Sequence, residues 1–244
     1  MTNPKISIII PCYNAEKWIK KCVMSALNQT YSNTEVIVVD NESTDSSYSV
    51  VEQMLGDNSK LTLEVAENIY PHCWDEAREK GFSLAKGKFL FTLASDDYLH
   101  PEYVKSCLKY INNGKRKIYA LASAIKGVDS RGVEKGDTNH LYHSLAELKE
   151  DLLIKCPVNS PTVVYDRQLY DDGHLKTNPD KFGGAADYDL YCSLVDKGYF
   201  IYPTGKWVGY YYRWHEEQAT WLVHKEARDY DKMIQSYWRD KWKI

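Results

Sequence analysis

"GKFLFTLASDD", residues Gly87 to Asp97, runs an apolar segment straight into two adjacent carboxylates. Phe89-Leu90-Phe91 reads as a buried strand, and Asp96 and Asp97 stand just past its carboxyl end. Neighbouring anions repel unless a positive group lies between or beside them. One reading is a solvated turn, its carboxylates accepting backbone N–H groups ahead of a helix opened by Pro101. The other is a divalent cation and, behind it, a diphosphate. The choice rests on the segments around it.

Upstream, "KISIII" is a β-branched run with too little alternation for a half-exposed strand, so it predicts a buried parallel one. It ends at "PCYN", and apolar pairs at Trp18/Ile19, Cys22/Val23 and Ala26/Leu27 then recur at helical spacing. "EVIVVD" predicts a second buried strand. "NESTDSS" breaks the chain, with Ser43 or Thr44 available to cap the next helix. "LTLEV" reads as a third strand and Trp74 to Ala85 as a helix leading back to the opening stretch. Strand and helix alternating with short connections imply right-handed crossovers and a mostly parallel sheet flanked by helices. Ligands bind such sheets beyond the carboxyl ends of the strands, where "PCYN", "DNESTD" and "SDD" all fall.

Downstream, "IYALASAI" and "PTVVY" read as strands, "GVDSRGVEKGD" as a hairpin or surface excursion, and "SLAELKEDLL" as an amphipathic helix. "DYDLYCSLVDKG" is a helix closed by Gly198. No repeat or linker appears, so one domain is expected over 1–244, with a nucleotide-binding half of about 1–100 and an acceptor-binding half of about 101–244.

Composition fits this reading. A hydrophobic fraction of 43% and a charged fraction of 27% are those of an ordinary globular chain. A net charge of −3 gives no reason to expect nucleic acid as a partner. No apolar run is long enough to span a membrane and "MTNPKISIII" lacks a signal-peptide layout, so a cytoplasmic protein is expected. Cys12, Cys22, Cys73, Cys107, Cys156 and Cys192 are scattered without metal-ligand spacing and read as free thiols. "WRDKWKI" at the end mixes Trp with Lys and Arg, which suits peripheral contact with a membrane's cytoplasmic face or a partner; a solvated terminal helix is the alternative.

Together these segments resemble the family 2 inverting glycosyltransferases. "SIIIPCYNAEKWIKKCVMSALNQTYSNTEVIVVDNESTD" matches that family's strand, P-x-Y-N, helix, Q-T, strand and D-[DN]-x-S-x-D. "AREKGFSLAKGKFLFTLASDD" matches its A-R-N-x-G and D-x-D-D pattern, "AADYDLYCSLVDKGY" its E-D-x-D-L, and "YYYRWHEEQAT" its Y-R-x-H. The matches run in order from about Lys5 to Thr220. The resemblance implies an α/β, Rossmann-like GT-A fold and transfer of a sugar from a nucleotide-diphosphate sugar to a hydroxyl of a glycan or other acceptor, as in polysaccharide biosynthesis. The chain departs from the pattern at Asn41 and Ala94 (each usually Asp), Glu79 (usually Asn) and Ala186 (usually Glu), which bears on the donor more than on the reaction.

The resemblance also assigns roles. Mn²⁺ or Mg²⁺ neutralises the leaving diphosphate when carboxylates hold it and phosphate oxygens complete its shell. Asp97 is expected as the direct ligand, Asp96 as a contact to the ribose or a metal-bound water, and His215 as a third ligand or phosphate donor. Asp187, at the start of a helix and on the face of Leu190, is expected as the general base; the alternative is an ordinary N-cap. Pro11, Tyr13 and Asn14 belong to the nucleobase loop, with Tyr13 free to stack. Asp40 and Asn41 are expected on base and ribose, and Arg78 and Arg213 on the diphosphate, with UDP-sugars favoured. Two other functions share parts of this pattern. A sugar nucleotidyltransferase usually carries a Gly-rich basic loop after its first strand, which "PCYNAEKW" is not. A catalytically silent binding domain gains weight from Ala94 and Ala186 but not from Asp96, Asp97 and Asp187.

Overall fold

The computed structural model describes residues 3–56, 58–69, 74–113, 117–218, 220–221 and 228–244. Cys73, one of the expected free thiols, lies outside them; the other five cysteines are free.

Strand β1 (Ile6–Cys12) is buried at every position, as its unalternating sequence requires. It pairs in parallel with β2 (Thr34–Asp40) on one side and β4 (Phe89–Thr92) on the other, and β3 (Leu61–Val65) extends the sheet beyond β2. Successive β1 side chains point to opposite faces. Ile9 joins one apolar layer, with Ala77 and Phe82 of α3 (Asp75–Leu84). Ile8 and Ile10 join the other, with Ile19, Cys22, Val23 and Ala26 of α1 (Ile19–Leu27) and Val51 of α2 (Ser47–Leu55). Lys17, Lys20 and Lys21 stay exposed, as the helical spacing predicts.

Neither Ser43 nor Thr44 caps α2, which begins later than expected. Asp45 instead accepts from Ser47 N (2.8 Å) and Glu16 N (3.0 Å), and the 43–45 segment is turned towards Asn14.

The second half continues the same sheet. β6 (Ala120–Asp129), β8 (Val164–Asp166) and β9 (Ile201–Trp214) follow β4, giving the order β3-β2-β1-β4-β8-β6-β9-β5, where β5 is Tyr98–Leu99. β7 (Glu134–Thr138) forms the expected hairpin on β6. The parallel character holds for β3-β2-β1-β4 and returns between β6 and β9, whereas β8, β7 and β5 run antiparallel to their neighbours. Helices α4 (Tyr103–Asn112), α5 (Leu145–Asp151), α6 (Gln168–Asp171), α7 (Pro179–Phe182), α8 (Ala186–Asp196) and α9 (Tyr230–Trp242) complete the flanks. Gly198, at φ 84°, ends the α8 segment in the left-handed conformation expected of it.

Part of the C-terminal aromatic segment packs inward, while Tyr237 and Ile244 stay exposed. Ile234 and Trp238 of α9 are buried in the α3/α8 layer. Trp238 Nε1 donates to Asp189 (2.7 Å) and Trp242 Nε1 to Asp196 (2.9 Å), while Lys241 pairs with Asp196. Among the described residues, no helix is long and apolar enough to cross a membrane.

Candidate active site

Because β1, β2 and β4 are parallel, their carboxyl ends share one edge. Cys12 lies opposite Asp40, and Leu93 N–H donates to Ile9 O beyond the end of β4. The loops after these strands therefore meet, although "PCYN", "DNE" and "SDD" are far apart in the chain.

At the β1–β2 end, Pro11 is buried in the strand and Tyr13 is 45% exposed at its mouth. Asn14 takes a left-handed φ of 47°, which Asn tolerates better than most residues. Its Oδ1 accepts from Thr44 N (2.8 Å) and Asp45 N (3.3 Å), and its own N–H donates to Ser43 Oγ (3.0 Å). Asn14 thus staples two loops together, so a nucleobase contact through its Oδ1 would have to be shared with those backbone donors. Asp40 and Asn41 are different. Asp40 Oδ1 accepts from Ser43 N, while Asp40 Oδ2 and Asn41 Oδ1 are buried acceptors without a partner among the described residues. An unpaired buried oxygen is costly, so each marks a place where a donor belongs.

The two carboxylates of the opening stretch separate sharply. Asp97 is 1% exposed and both its oxygens are engaged: Oδ2 accepts from Tyr210 Oη (2.6 Å) and Oδ1 from Arg213 N (2.7 Å). Burial and the neighbouring Asp96 push its pKa well above the ordinary carboxylate range, against the pull of those two donors. Asp96 instead faces His215, with Oδ2 3.0 Å from Nε2 and side chains 20% and 10% exposed. The pair therefore differs in engagement: both Asp97 oxygens hold β9 against the strand end, whereas Asp96 is paired with the His215 imidazole and keeps more exposure.

The two arginines are also more committed than expected. Arg213 is buried; its Nε donates to Asp96 O (2.8 Å), its Nη1 to Asp129 O and Ser130 O, and its guanidinium lies 4.4 Å from the Trp18 ring centroid. A phosphate contact from it would have to come through Nη2. Arg78 Nη2 donates to Asp75 (2.7 Å) and Thr177 Oγ1 (2.9 Å), inside a buried cluster that also contains a Thr177–Asp75 hydrogen bond. Arg78 Nε is buried without a partner among the described residues. This cluster ties α3 to the 175–177 segment and occupies Arg78 Nη2, so a diphosphate contact would have to use the other N–H groups of the guanidinium.

Asp187 opens α8, with Leu190 and Leu194 buried beneath it as the spacing predicts. Its Oδ2 accepts from Ser160 Oγ (2.5 Å) and its Oδ1 from Tyr188 N (2.7 Å), and it remains partly exposed. It makes no bond to the N–H groups two or three residues on, as an N-cap would; α8 has no side-chain cap. Burial raises its pKa, while Ser160 and Tyr188 N draw it back. The Tyr212 hydroxyl is hydrogen-bonded with Thr220 Oγ1 (3.2 Å), and burial first, then the charges of Asp97, Asp96 and Asp187, raise its pKa. Tyr210 carries no signal of its own in the sequence, and Trp18 enters there only through the apolar spacing of α1. Tyr210 sits among three consecutive tyrosines; alternation separates it from Tyr211, and only its hydrogen bond to Asp97 separates it from Tyr212.

A single carboxylate and a single imidazole fit a cation such as Mn²⁺ or Mg²⁺ that takes the rest of its ligands from phosphate and water. Among the described residues, no group of three His, Cys, Asp or Glu side chains gathers to hold a metal alone.

Parallel strands β1, β2 and β4 ending in one edge that carries Asp40, Asn41, Asp96 and Asp97, with helices on both faces, give the α/β architecture of the GT-A class. Residues 7–173 match the family model "Glycosyl transferase family 2", and the chain belongs to that family. An uncharacterized glycosyltransferase of Haemophilus influenzae is 26% identical over 243 residues, covering 95% of this chain and 72% of that one. The poly(ribitol-phosphate) beta-N-acetylglucosaminyltransferase TarS of Staphylococcus aureus is 28% identical over 209 residues, covering 80% of this chain but 35% of TarS. The crystal structure of TarS in complex with UDP-GlcNAc has a TM-score of 0.63 at 25% identity, over 88% of this chain and 60% of that one. A Pyrobaculum calidifontis mannosyltransferase at 15% identity, TM-score 0.63 over 97% of this chain and 69% of that one, shares the fold.

Proposed function

We propose that this chain transfers a sugar from a nucleotide-diphosphate sugar, UDP-linked in preference, to a hydroxyl of a glycan or other acceptor, with inversion at the anomeric carbon. The observation that carries the reading is the 3.0 Å contact between Asp96 and His215, residues 119 apart, on the edge where Asp40 and Asn41 keep buried oxygens unpaired among the described residues. Those oxygens suit the ring N–H of a uracil and the hydroxyls of a ribose. The relative TarS, solved with UDP-GlcNAc, supports a uridine donor.

Asp96 and His215 would hold Mn²⁺ or Mg²⁺, which neutralises charge on the departing diphosphate. Asp187 takes the proton of the acceptor hydroxyl on a carboxylate oxygen as the acceptor oxygen bonds to the anomeric carbon. The bond from that carbon to the diphosphate breaks, and the diphosphate leaves with the electron pair. A single in-line displacement inverts the configuration. A raised pKa suits a carboxylate to this work, since a base closer to neutrality gives a stronger drive for proton transfer. Asp97 and Arg213 hold the metal pair in place from behind, Asp97 through β9 and Arg213 through the carbonyl of Asp96.

A thermal-shift panel of UDP, GDP, CDP, ADP and dTDP, each with and without Mn²⁺, tests the reading. UDP with Mn²⁺ should stabilise most, because a ligand that binds only the folded state raises stability with its occupancy. No shift from any nucleotide in the presence of Mn²⁺ would refute it.

A further inference from the structure

Asp187 and Tyr191 lie one helical turn apart on α8 and share a face. A single hydroxyl from another part of the chain bridges them. Tyr191 Oη donates to Ser160 Oγ (2.9 Å), and Ser160 Oγ donates to Asp187 Oδ2 (2.5 Å). The direction of this relay is fixed. A serine hydroxyl has one hydrogen, and with Tyr191 donating to its oxygen that hydrogen is directed at the carboxylate.

Ser160 is itself anchored. It opens the short 3₁₀ turn Ser160–Thr162, and Thr162 Oγ1 accepts from Ser123 N (2.9 Å) and donates to Asn159 O (2.8 Å). Asn159 Nδ2 reaches Ser123 O (2.8 Å) and Thr138 O (3.1 Å), so the turn is sewn to β6 and to the residue that ends β7. The far end of the relay is equally fixed, since Tyr191 is 1% exposed and packs in the core.

We propose that Ser160, backed by Tyr191, is a positioning residue that sets the orientation of the Asp187 carboxylate and favours its charged form; this rests on the reading of Asp187 as the base. With Oδ2 held by Ser160 and Oδ1 by Tyr188 N, rotation about Cβ–Cγ is blocked and the remaining lone pairs face a set direction. The relay is not a proton exit. It ends at a buried phenol, so the proton that Asp187 takes leaves on the open side. Other groups act on Asp187, or feel it, through charge. They are Asp75 and Arg78 on α3, Cys156 ahead of the turn, Tyr165 on β8, Tyr191 on α8 and Tyr212 on β9.

The test is a carbon-13 NMR titration of the full chain carrying labelled Asp side-chain carboxyls, with Asp187→Asn identifying the resonance. Ser160→Ala should raise the Asp187 midpoint by about one pH unit, since a donor to the charged form is lost. Ser160→Thr should restore it, and Tyr191→Phe, which keeps the ring in the core, should raise it by less. An unchanged midpoint in both Ser160→Ala and Tyr191→Phe overturns the proposal; should Ser160→Ala fail to fold, Tyr191→Phe alone decides. The companion measurement is the pH profile of hydrolysis of the nucleotide sugar that matches the strongest nucleotide of the thermal-shift panel, with water as acceptor. Its acid limb should move with the NMR midpoint. A midpoint that moves while the limb stays put overturns Asp187 as the base, and the positioning role with it.

Discussion

The niche at the end of β4 and the niche at the start of α8 each take a carboxylate out of water, and they treat it in opposite ways. At Asp97 the protein closes both oxygens with Tyr210 and the Arg213 N–H and leaves 1% of the residue exposed. At Asp187 it supplies one side-chain donor and one adjacent backbone N–H and keeps the group partly open. Burial raises both pKa values. What differs is the exposure each residue keeps, and on that difference rests the proposal that Asp187, and not Asp97, reacts.

The largest effect is expected at the open niche. Asp187→Asn should lower acceptor-dependent turnover roughly a hundredfold or more, because an amide cannot take a proton, with nucleotide binding unchanged. Initial rates alongside thermal shifts with UDP and Mn²⁺ check this; undiminished turnover would erase the distinction between the niches. The pH dependence follows from the same group. Activity needs the ionised form, so it should rise with pH through an acid limb above the ordinary value of 3.8. Stability has the opposite sign. The folded state holds this proton more tightly than the unfolded chain, so the contribution is present below 3.8 and lost as pH rises through the raised pKa. Asp187→Asn should flatten that part of a urea-stability profile measured against pH.

At the closed niche the effect should fall on stability. Asp97→Ala leaves the Tyr210 hydroxyl and the Arg213 N–H buried without an acceptor, at roughly 1–3 kcal/mol each, so a loss of roughly 2–6 kcal/mol in urea denaturation is expected. Asp97→Asn keeps one accepting oxygen and should be milder. It should also keep the Mn²⁺-dependent part of the UDP thermal shift, whereas Asp96→Asn should lose it. The reverse result would return the metal to Asp97.

The smallest effect is expected at a neutral group. Asn41 Oδ1 is buried and unpaired among the described residues, and an amide that both accepts and donates can turn to meet more than one nucleobase. Asn41→Asp leaves acceptors only, which suit the ring N–H of uracil or thymine but not the ring acceptor of cytosine. Competition by nucleoside diphosphates should show preference for uridine or thymidine over cytidine sharpened by roughly 1–3 kcal/mol, the cost of one unpaired buried partner. An unchanged ranking would mean that Asn41 does not touch the base.

Much of this molecule is legible in its sequence. The unalternating run at Ile6 to Cys12, the helical spacing from Ile19 to Ala26 and the turn-rich breaks after each strand determine the parallel half of the sheet. With it comes the edge where Asp40, Asn41, Asp96 and Asp97 collect. Periodicity also places Asp187 above Leu190 and Leu194 at a helix start. These are local properties, because the period of side chains along a strand or helix is fixed by the backbone next to them.

The tertiary structure alone decided where each lone pair and N–H points. Nothing local distinguishes Asp96 from Asp97, or Tyr210 from Tyr212; β9 crossing the strand end gives Asp97 to Tyr210 and Arg213 and leaves Asp96 to His215. The same holds for Arg78, whose partner Thr177 is 99 residues away, for Ser160, 27 residues from Asp187, and for Trp238, drawn onto Asp189 from 49 residues away. A hydrogen bond needs its two atoms about 3 Å apart and aligned, and at such separations only the packing of the whole sheet sets that geometry.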